Sequence, residues 1–339
     1  MISVGVVGFG YWGPNLARNF SSAVGARLGG ICDLREVHLQ RAQRQFPGVR
    51  VTSDYQELLR DPAIQVMAIA TPVSTHFPLA MAALESGKHV WLEKPLCETS
   101  EQAVRLIEAA QRRNLVLHVD HTFVYTGAVR KLHELVTGGV LGKLQYYDST
   151  RINLGLFQHD VDVIWDLAVH DFAILDYLLD QRPVAISANG MSHVSGSPEN
   201  LAYITLFYAG DMIAHINVNW LAPVKIRTIL LGGDKKMIVF NDLHPMEKIK
   251  IYDKGIELVD DPGRLHQMRI GYRTGDMCSP NIDSGEALQI EAAHFLDCVR
   301  HGRRSMTDGE VGLRVVHWLE AATASMKQQG APVPLTIGV

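Results

Sequence analysis

The chain has 339 residues, 47% hydrophobic and 20% charged, with a formal net charge of −4. At about 150 residues per domain, two domains are expected, each large enough to bury a core without a disulfide or metal staple. This balance excludes a disordered chain and a strongly basic surface, so nucleic acid is a poor default partner. No apolar run reaches the roughly 18 residues of a membrane helix. Cys32, Cys97, Cys278 and Cys298 form no CxxC pair. Reduced thiols and a cytoplasmic location are expected. The N-terminal MISVGVVGFG has no basic region and is broken by glycines, so it reads as a strand and not as a signal peptide.

The first third alternates strand-like and helix-like runs. Strands are predicted at 3–7, 26–32, 64–70, 89–92 and 115–119, and helices at 14–21, 36–46, 75–86 and 100–113. Strands that are apolar on both faces and separated by helices define a doubly wound parallel sheet. A helix is then predicted at 127–136, a strand at 143–153 and a long helix at 162–179. Between 184 and 259 several strand-like runs with short connections suit antiparallel neighbours. Residues 260–285 read as irregular, and two helices finish the chain near 285–300 and 309–328. The expected fold is α/β. A Rossmann domain spans 1–120. An α+β domain with an open, mainly antiparallel sheet spans 121–339 and serves substrate binding and oligomerisation.

Gly8-Phe9-Gly10-Tyr11-Trp12-Gly13 follows the first strand and opens the first helix. Glycines there permit a tight turn and a close approach of backbone to a pyrophosphate, which the helix N-terminus favours. Asp33 ends the second strand, twenty residues after Gly13, where a carboxylate accepts hydrogen bonds from ribose hydroxyls. The cofactor-binding set thus includes Gly8, Phe9, Gly10, Tyr11, Trp12, Gly13, Asp33, Leu34 and Arg35. Asp33 would repel a 2′-phosphate, which favours NAD over NADP, although Arg35 could accept that phosphate instead. Trp12 would either wall the cofactor cleft or pack in the core.

Ala70-Thr71-Pro72 with His76 follows the fourth strand, Glu93-Lys94-Pro95 follows the fifth, and Asp166-Leu-Ala-Val-His170 stands in the second domain. With the glycine turn, these motifs resemble the Gfo/Idh/MocA family, named for glucose–fructose oxidoreductase, inositol dehydrogenase and a rhizopine catabolic enzyme. The resemblance covers nearly the whole chain. It implies NAD(P)-linked oxidation or reduction of a sugar, cyclitol or related polyol, and a sheet that packs in homodimers or homotetramers. It places Lys94, Asp166 and His170 in the active site. Thr71, Pro72, His76, Glu93 and Lys94 join the cofactor side.

Oxidising a secondary alcohol needs a base at the hydroxyl and a positive charge for the developing alkoxide. Four residues apart on one predicted helix, Asp166 and His170 share a face. His170 is assigned as the base, with Asp166 orienting it or binding a further hydroxyl, and Lys94 as the electrostatic partner; the reverse division stays open. Tyr125, Arg151 and Asn153 are further candidates for substrate contact. The stretch His159, Asp160, Asp162, Asp166, His170 and Asp171 lacks HExxH spacing or a cysteine pair, so no metal is expected.

The chain departs from the common family pattern on the substrate side. Asp162-Val163-Ile164-Trp165 stands where many members carry a glycine-rich run, and Val124 and Gly127 stand where many carry an arginine and a proline. This block resembles members of nucleotide-sugar pathways. The preferred substrate is therefore a nucleotide-activated hexose oxidised at C3. The alternatives are an inositol or free sugar, an NAD-dependent glycosidase without net redox change, and a non-catalytic NAD-sensing protein.

Overall fold

The computed structural model describes residues 1–155, 161–258 and 270–335. They divide into two compact units, Met1–Thr126 with Gly285–Glu320, and Gly127–Ser284 with Ala321–Val339.

In the first unit strands and helices alternate: β1 (Ile2–Val7), α1 (Gly13–Ser22), β2 (Ala26–Cys32), α2 (Glu36–Gln45), β3 (Val51–Thr52), α3 (Tyr55–Arg60), β4 (Val66–Ile69), α4 (His76–Glu85), β5 (His89–Glu93), α5 (Ser100–Arg112) and β6 (Leu117–Asp120). The strands form one parallel sheet in the order β3-β2-β1-β4-β5-β6. Strand order reverses between β1 and β4, so a crevice opens at their carboxyl ends, where ligands bind in such sheets. The sequence reading omits β3 and α3. Two residues are too few for a strand pattern, and α3 is a short helix whose N-terminus is held by the Asp54 side chain accepting from the Gln56 N–H.

The second unit contains α6 (Gly127–Thr137), β7 (Leu144–Leu154), a π-helical turn (Ile164–Ala168), α7 (Val169–Leu178), β8 (Pro183–Met191), β9 (Leu201–Tyr208), β10 (Ile213–Asn219), β11 (Leu221–Gly233), β12 (Met237–Asn241), β13 (Ile249–Tyr252), β14 (Gly255–Leu258), β15 (Ile270–Arg273) and β16 (Met277–Cys278). Helices α8 (Ala287–His301) and α9 (Gly309–Lys327) and strand β17 (Val333–Pro334) follow. A nine-stranded sheet runs β16-β13-β12-β11-β7-β10-β9-β8-β17. Its neighbours are antiparallel except β7 and β10, which are parallel. The mainly antiparallel sheet matches the expectation.

Two expectations change. A single cut at 120/121 leaves α8 with the second domain, yet α8 belongs to the first unit. Its residues Leu288, Ala292, Phe295 and Leu296 lie on one helical face and join the core of Val4, Phe20, Ile31 and Trp91. The Phe295 ring meets Trp91 edge-on at 5.4 Å. A long-range core claims this helix, and no local pattern announces that. The predicted helix 162–179 also begins with the π turn before regular α geometry starts at Val169. No helix among the described residues is long and apolar enough to cross a membrane.

Candidate active site

The glycine turn is shaped by backbone contacts that a side chain would break. Gly8 has φ +86°, and a Cβ there would strike the Ala70 carbonyl oxygen. A Cβ on Gly13 would strike the Gly8 carbonyl oxygen. Gly10 differs: a Cβ would meet nothing nearer than Arg35 Nη2 at 3.7 Å and His38 Cε1 at 3.9 Å. Two glycines therefore fold the turn and the third leaves its outer face open. Helix α1 starts at this turn with Trp12 as N-cap and no side-chain cap hydrogen bond, and Pro14 follows in its first turn. Uncapped N–H groups at a helix N-terminus suit a phosphate. The turn therefore fits a dinucleotide.

Asp33 is tied into this turn. Its Oδ2 accepts from the Phe9 N–H at 2.6 Å and lies 2.9 Å from His38 Nδ1, while Oδ1 accepts from the Arg35 N–H at 2.9 Å. Burial works to raise the Asp33 pKa, but the hydrogen bonds from Arg35, His38 and Phe9 together outweigh it and hold the carboxyl below its usual range. Asp33 is thus ionised and carries negative charge where a ribose edge would lie. Phe9 contributes only backbone, since its ring is buried in the core against Phe46. Tyr11, Leu34 and Arg35 are exposed beside the turn. Sequence reading misses Arg41, whose Nη2 donates to the Gly10 carbonyl at 3.1 Å and whose guanidinium lies 5.2 Å from the Phe9 ring. Its spacing on α2 carries no motif.

Thr71 and Pro72 follow β4, and Thr75 Oγ1 lies 2.7 Å from Thr71 Oγ1 and 2.7 Å from the Pro72 carbonyl oxygen, donating to one of them at a time. His76 is enclosed at 1% exposure. Its Nδ1 lies 2.8 Å from the Pro95 carbonyl oxygen and its Nε2 2.9 Å from that of Thr71. Burial pushes its pKa down, against the pull of these carbonyls. The neutral ring then donates to one of them at a time. Expected on the cofactor side, His76 ties the loop after β4 to the loop after β5. Lys94 is partly exposed at the end of β5, before a cis bond to Pro95, and its N–H donates to Glu93 Oε2 at 3.2 Å.

Behind Lys94 lies a buried polar cluster that the sequence reading missed. Asp120 Oδ2 accepts from Trp91 Nε1 at 3.2 Å and from Trp12 Nε1 at 3.3 Å, and Thr122 donates to Oδ1. The Trp12 indole N–H therefore points at Asp120. Burial and the proximity of Asp120 push Glu93 and Glu291 far above ordinary carboxyl values. His121 is 1% exposed, and burial reinforced by the Lys94 charge lowers its pKa to about 3. Glu291 is supplied by α8, which no local signal links to β5. Tyr125 is also corrected. It is 1% exposed, with its hydroxyl 3.4 Å from Thr307 Oγ1, and burial raises its pKa. Its ring and hydroxyl are buried in the core.

In the second unit, Asp166 lies in the π turn and Oδ2 accepts from Trp220 Nε1 at 3.0 Å. His170 is partly buried in the first turn of α7. The two residues straddle the junction of π and α geometry, and such turns are frequent at functional sites. Arg151 is corrected. Its Nε donates to Asp171 Oδ2 at 2.7 Å, and the pair is 4% and 0% exposed. Tyr147 and Ser149 donate to Asp171 Oδ1 at 3.2 and 2.5 Å. Alternation along β7 turns residues 147, 149 and 151 to one face, against α7. Arg151 thus neutralises a buried carboxylate. Asn153, two residues on, is partly buried. Asp162 caps the π turn, its Oδ1 accepting from the N–H groups of Ile164 and Trp165. His159 and Asp160 lie outside the described residues.

A parallel sheet with this strand order, a glycine turn at its switch point and an acid on the second strand define a dinucleotide-binding oxidoreductase. Residues 2–121 match the oxidoreductase family with NAD-binding Rossmann fold, and residues 129–239 match the GFO/IDH/MocA C-terminal domain. The chain belongs to the Gfo/Idh/MocA family and is an NAD(P)-dependent oxidoreductase acting on CH–OH groups. It is 27% identical over 322 residues to the UDP-N-acetylglucosamine 3-dehydrogenase of Acidithiobacillus ferrooxidans, covering 92% of this chain and 93% of that protein. A solved structure of that enzyme covers 97% of this chain and 98% of its own, with TM-score 0.81 and 23% identity. It is 25% identical over 353 residues to the NAD(+)-dependent scyllo-inositol 2-dehydrogenase of Bacillus subtilis, covering 98% of this chain and 96% of that protein. A levoglucosan dehydrogenase in complex with NADH and L-sorbose has TM-score 0.82 and 20% identity, covering 98% of each chain.

Proposed function

We propose that this enzyme oxidises a ring hydroxyl of a nucleotide-activated hexose, preferentially at C3, with NAD as acceptor. The observation that carries the cofactor half is Asp33: an ionised carboxylate tied to the glycine turn disfavours a 2′-phosphate. NAD held by these residues would supply the hydride acceptor for the carbinol carbon. The residues supply the rest. The glycine turn and α1 N-terminus hold the pyrophosphate. Thr71 and Pro72, braced by His76, bound the nicotinamide side. Lys94 offers a positive charge at the carboxyl end of β5, where alkoxide character develops. Asp166 and His170 supply a carboxylate and an imidazole suited to proton exchange near neutrality. His170 is the assigned base; the reverse division between it and Lys94 fits the same residues.

The nucleotide-sugar half rests on the block from Asp162 to His170 and on likeness to a UDP-N-acetylglucosamine 3-dehydrogenase along nearly the whole chain. A second reading, oxidation of a cyclitol, is favoured by the comparable likeness to a scyllo-inositol 2-dehydrogenase. NADH formation at 340 nm with UDP- and dTDP-hexoses, inositols and free sugars separates them. Signal with nucleotide sugars alone supports the first reading, and signal with inositols alone replaces it by the second. A cytoplasmic homodimer or homotetramer is proposed as the working form. Tyr203 and Ile213 stay exposed on one face of β9 and β10, with Tyr203 stacked on His215. Light scattering at micromolar protein that gives a monomer rejects the oligomer.

A further inference from the structure

The acid at the end of β2 is held by two backbone groups and one side chain. Asp33 Oδ2 accepts from the Phe9 N–H at 2.6 Å and lies 2.9 Å from His38 Nδ1, and Oδ1 accepts from the Arg35 N–H at 2.9 Å. Ionised Asp33 offers acceptors alone, so His38 donates from Nδ1, and in the neutral ring Nε2 carries no proton. A carboxylate has about four lone-pair directions. Phe9 and His38 fill the two on Oδ2, and Arg35 takes one on Oδ1. Among the described residues that leaves one direction at Oδ1 for a ligand. The side chains of Asp33 and His38 are 9% and 13% exposed, so water competes little for the bond between them. His38 stands in the first turn of α2, where its backbone N–H donates to the Arg35 carbonyl at 2.9 Å. Its ring also borders the glycine turn. A Cβ on Gly10 would lie 3.9 Å from His38 Cε1 and 3.7 Å from Arg35 Nη2. Imidazole and guanidinium therefore flank the open outer face of the turn, while Arg41 is committed to the Gly10 carbonyl.

We propose that His38 is a positioning residue that sets cofactor preference. It fixes Asp33 so that the open direction at Oδ1 meets a ribose hydroxyl and the carboxylate charge stands against a 2′-phosphate. The proposal rests on the NAD reading above and names the side chain that makes Asp33 selective. The Phe9 and Arg35 N–H groups are backbone and would meet any acid at this position; His38 alone supplies a side-chain donor. The terminal torsion of an aspartate is broad, so an untethered carboxylate turns readily. Arg35 stands beside it, and a guanidinium is well matched to a phosphate. With His38 in place, turning the carboxylate breaks a charge-assisted hydrogen bond, roughly twice as strong as a neutral one. Loss of His38 therefore acts on the two cofactors in opposite directions. NAD loses an oriented acceptor, and NADP loses a fixed obstacle. A residue that merely supported the turn would weaken both alike.

Fluorescence titration of the full-length enzyme with NADH and with NADPH gives two dissociation constants, and the ratio of NADPH to NADH is the readout. The variants are His38→Phe, which keeps a ring and removes the donor, and His38→Asn, whose amide N–H can stand where Nδ1 does. Circular dichroism checks each for folding. The ratio should fall at least about tenfold in His38→Phe and stay within about threefold of the wild type in His38→Asn. An unchanged ratio in folded His38→Phe, or an equal fall in His38→Asn, overturns the proposal. Should His38→Phe not fold, nitrogen NMR of the wild type decides. The imidazole resonances missing from His38→Asn should show the Nδ1–H tautomer above neutral pH, and the Nε2–H tautomer overturns the tether. A wild type that binds NADPH as tightly as NADH overturns the NAD reading itself, while the NMR result still judges whether His38 holds Asp33.

Discussion

Each unit buries carboxyl groups, and the two solve the problem in opposite ways. In the second unit Asp171 is met by a guanidinium and two hydroxyls. In the first unit Asp120 accepts from the Trp12 and Trp91 indoles and the Thr122 hydroxyl, and Glu291 lies 3.1 Å from His118 Nε2. A carboxyl group matched by a buried guanidinium and two hydroxyls has its acceptor oxygens satisfied in place. Burial and the negative charge of Asp120 instead raise the pKa values of Glu93 and Glu291. The first arrangement fixes a strand to a helix. The second stands at the ends of β5 and β6 and on α8.

The largest expected effect breaks this contrast directly. Asp171→Asn strands the Arg151 charge in the core and should cost about 3–5 kcal/mol in denaturant unfolding. Glu291→Gln replaces a carboxyl whose pKa burial raises by a neutral group of similar shape and should cost about 1 kcal/mol. Equal losses would mean that both clusters are charge pairs and would erase the difference.

The glycine turn sharpens it next. Gly13→Ala should weaken NADH binding by at least about tenfold, because the Cβ displaces the Gly8 carbonyl that shapes the phosphate cradle. Arg151→Met should leave NADH affinity unchanged in whatever fraction folds. Fluorescence titration decides, and an unperturbed Gly13→Ala would move the cofactor away from this turn.

pH provides a third comparison. Glu93 and Glu291 have pKa values raised in the fold. Their contribution to stability is full below the unfolded value near 4.5 and is lost as pH rises through the folded values. Asp33 is lowered, so its contribution is present above 3.8 and lost as pH falls through its folded value. Wild-type stability should therefore decline on the alkaline side more steeply than that of Glu291→Gln. Thermal melts across pH that superimpose for the two proteins would remove the proton from this cluster.

The smallest effect concerns Tyr125. Tyr125→Phe should cost less than about 1 kcal/mol and leave KM unchanged, since its hydroxyl makes one long contact inside the core. A raised KM would return it to the substrate side.

Much of the first unit is legible locally. Repeating apolar strands, Gly8, Gly13 and Asp33 identify a parallel sheet and its turn because each depends on neighbours in sequence. Arg151 and Tyr125 mislead because polarity suggests exposure, and only a partner far along the chain reveals that the group is buried and satisfied. His76 misleads similarly: a polar residue at a helix start reads as a ligand contact, yet its ring is enclosed between two loop carbonyls. The π turn at Asp166 is invisible because one extra residue in a turn leaves the apolar pattern almost unchanged.

The sequence alone determined the alternation of elements, the turn, its acid and the Glu93-Lys94-Pro95 stop, because steric rules for glycine and the periodicity of burial act over a few residues. The tertiary structure decided which carboxyls are buried and what meets them. Charge state depends on what lies within a few ångströms, and Glu291, on α8, is held against His118 by the core around Phe295 and Trp91.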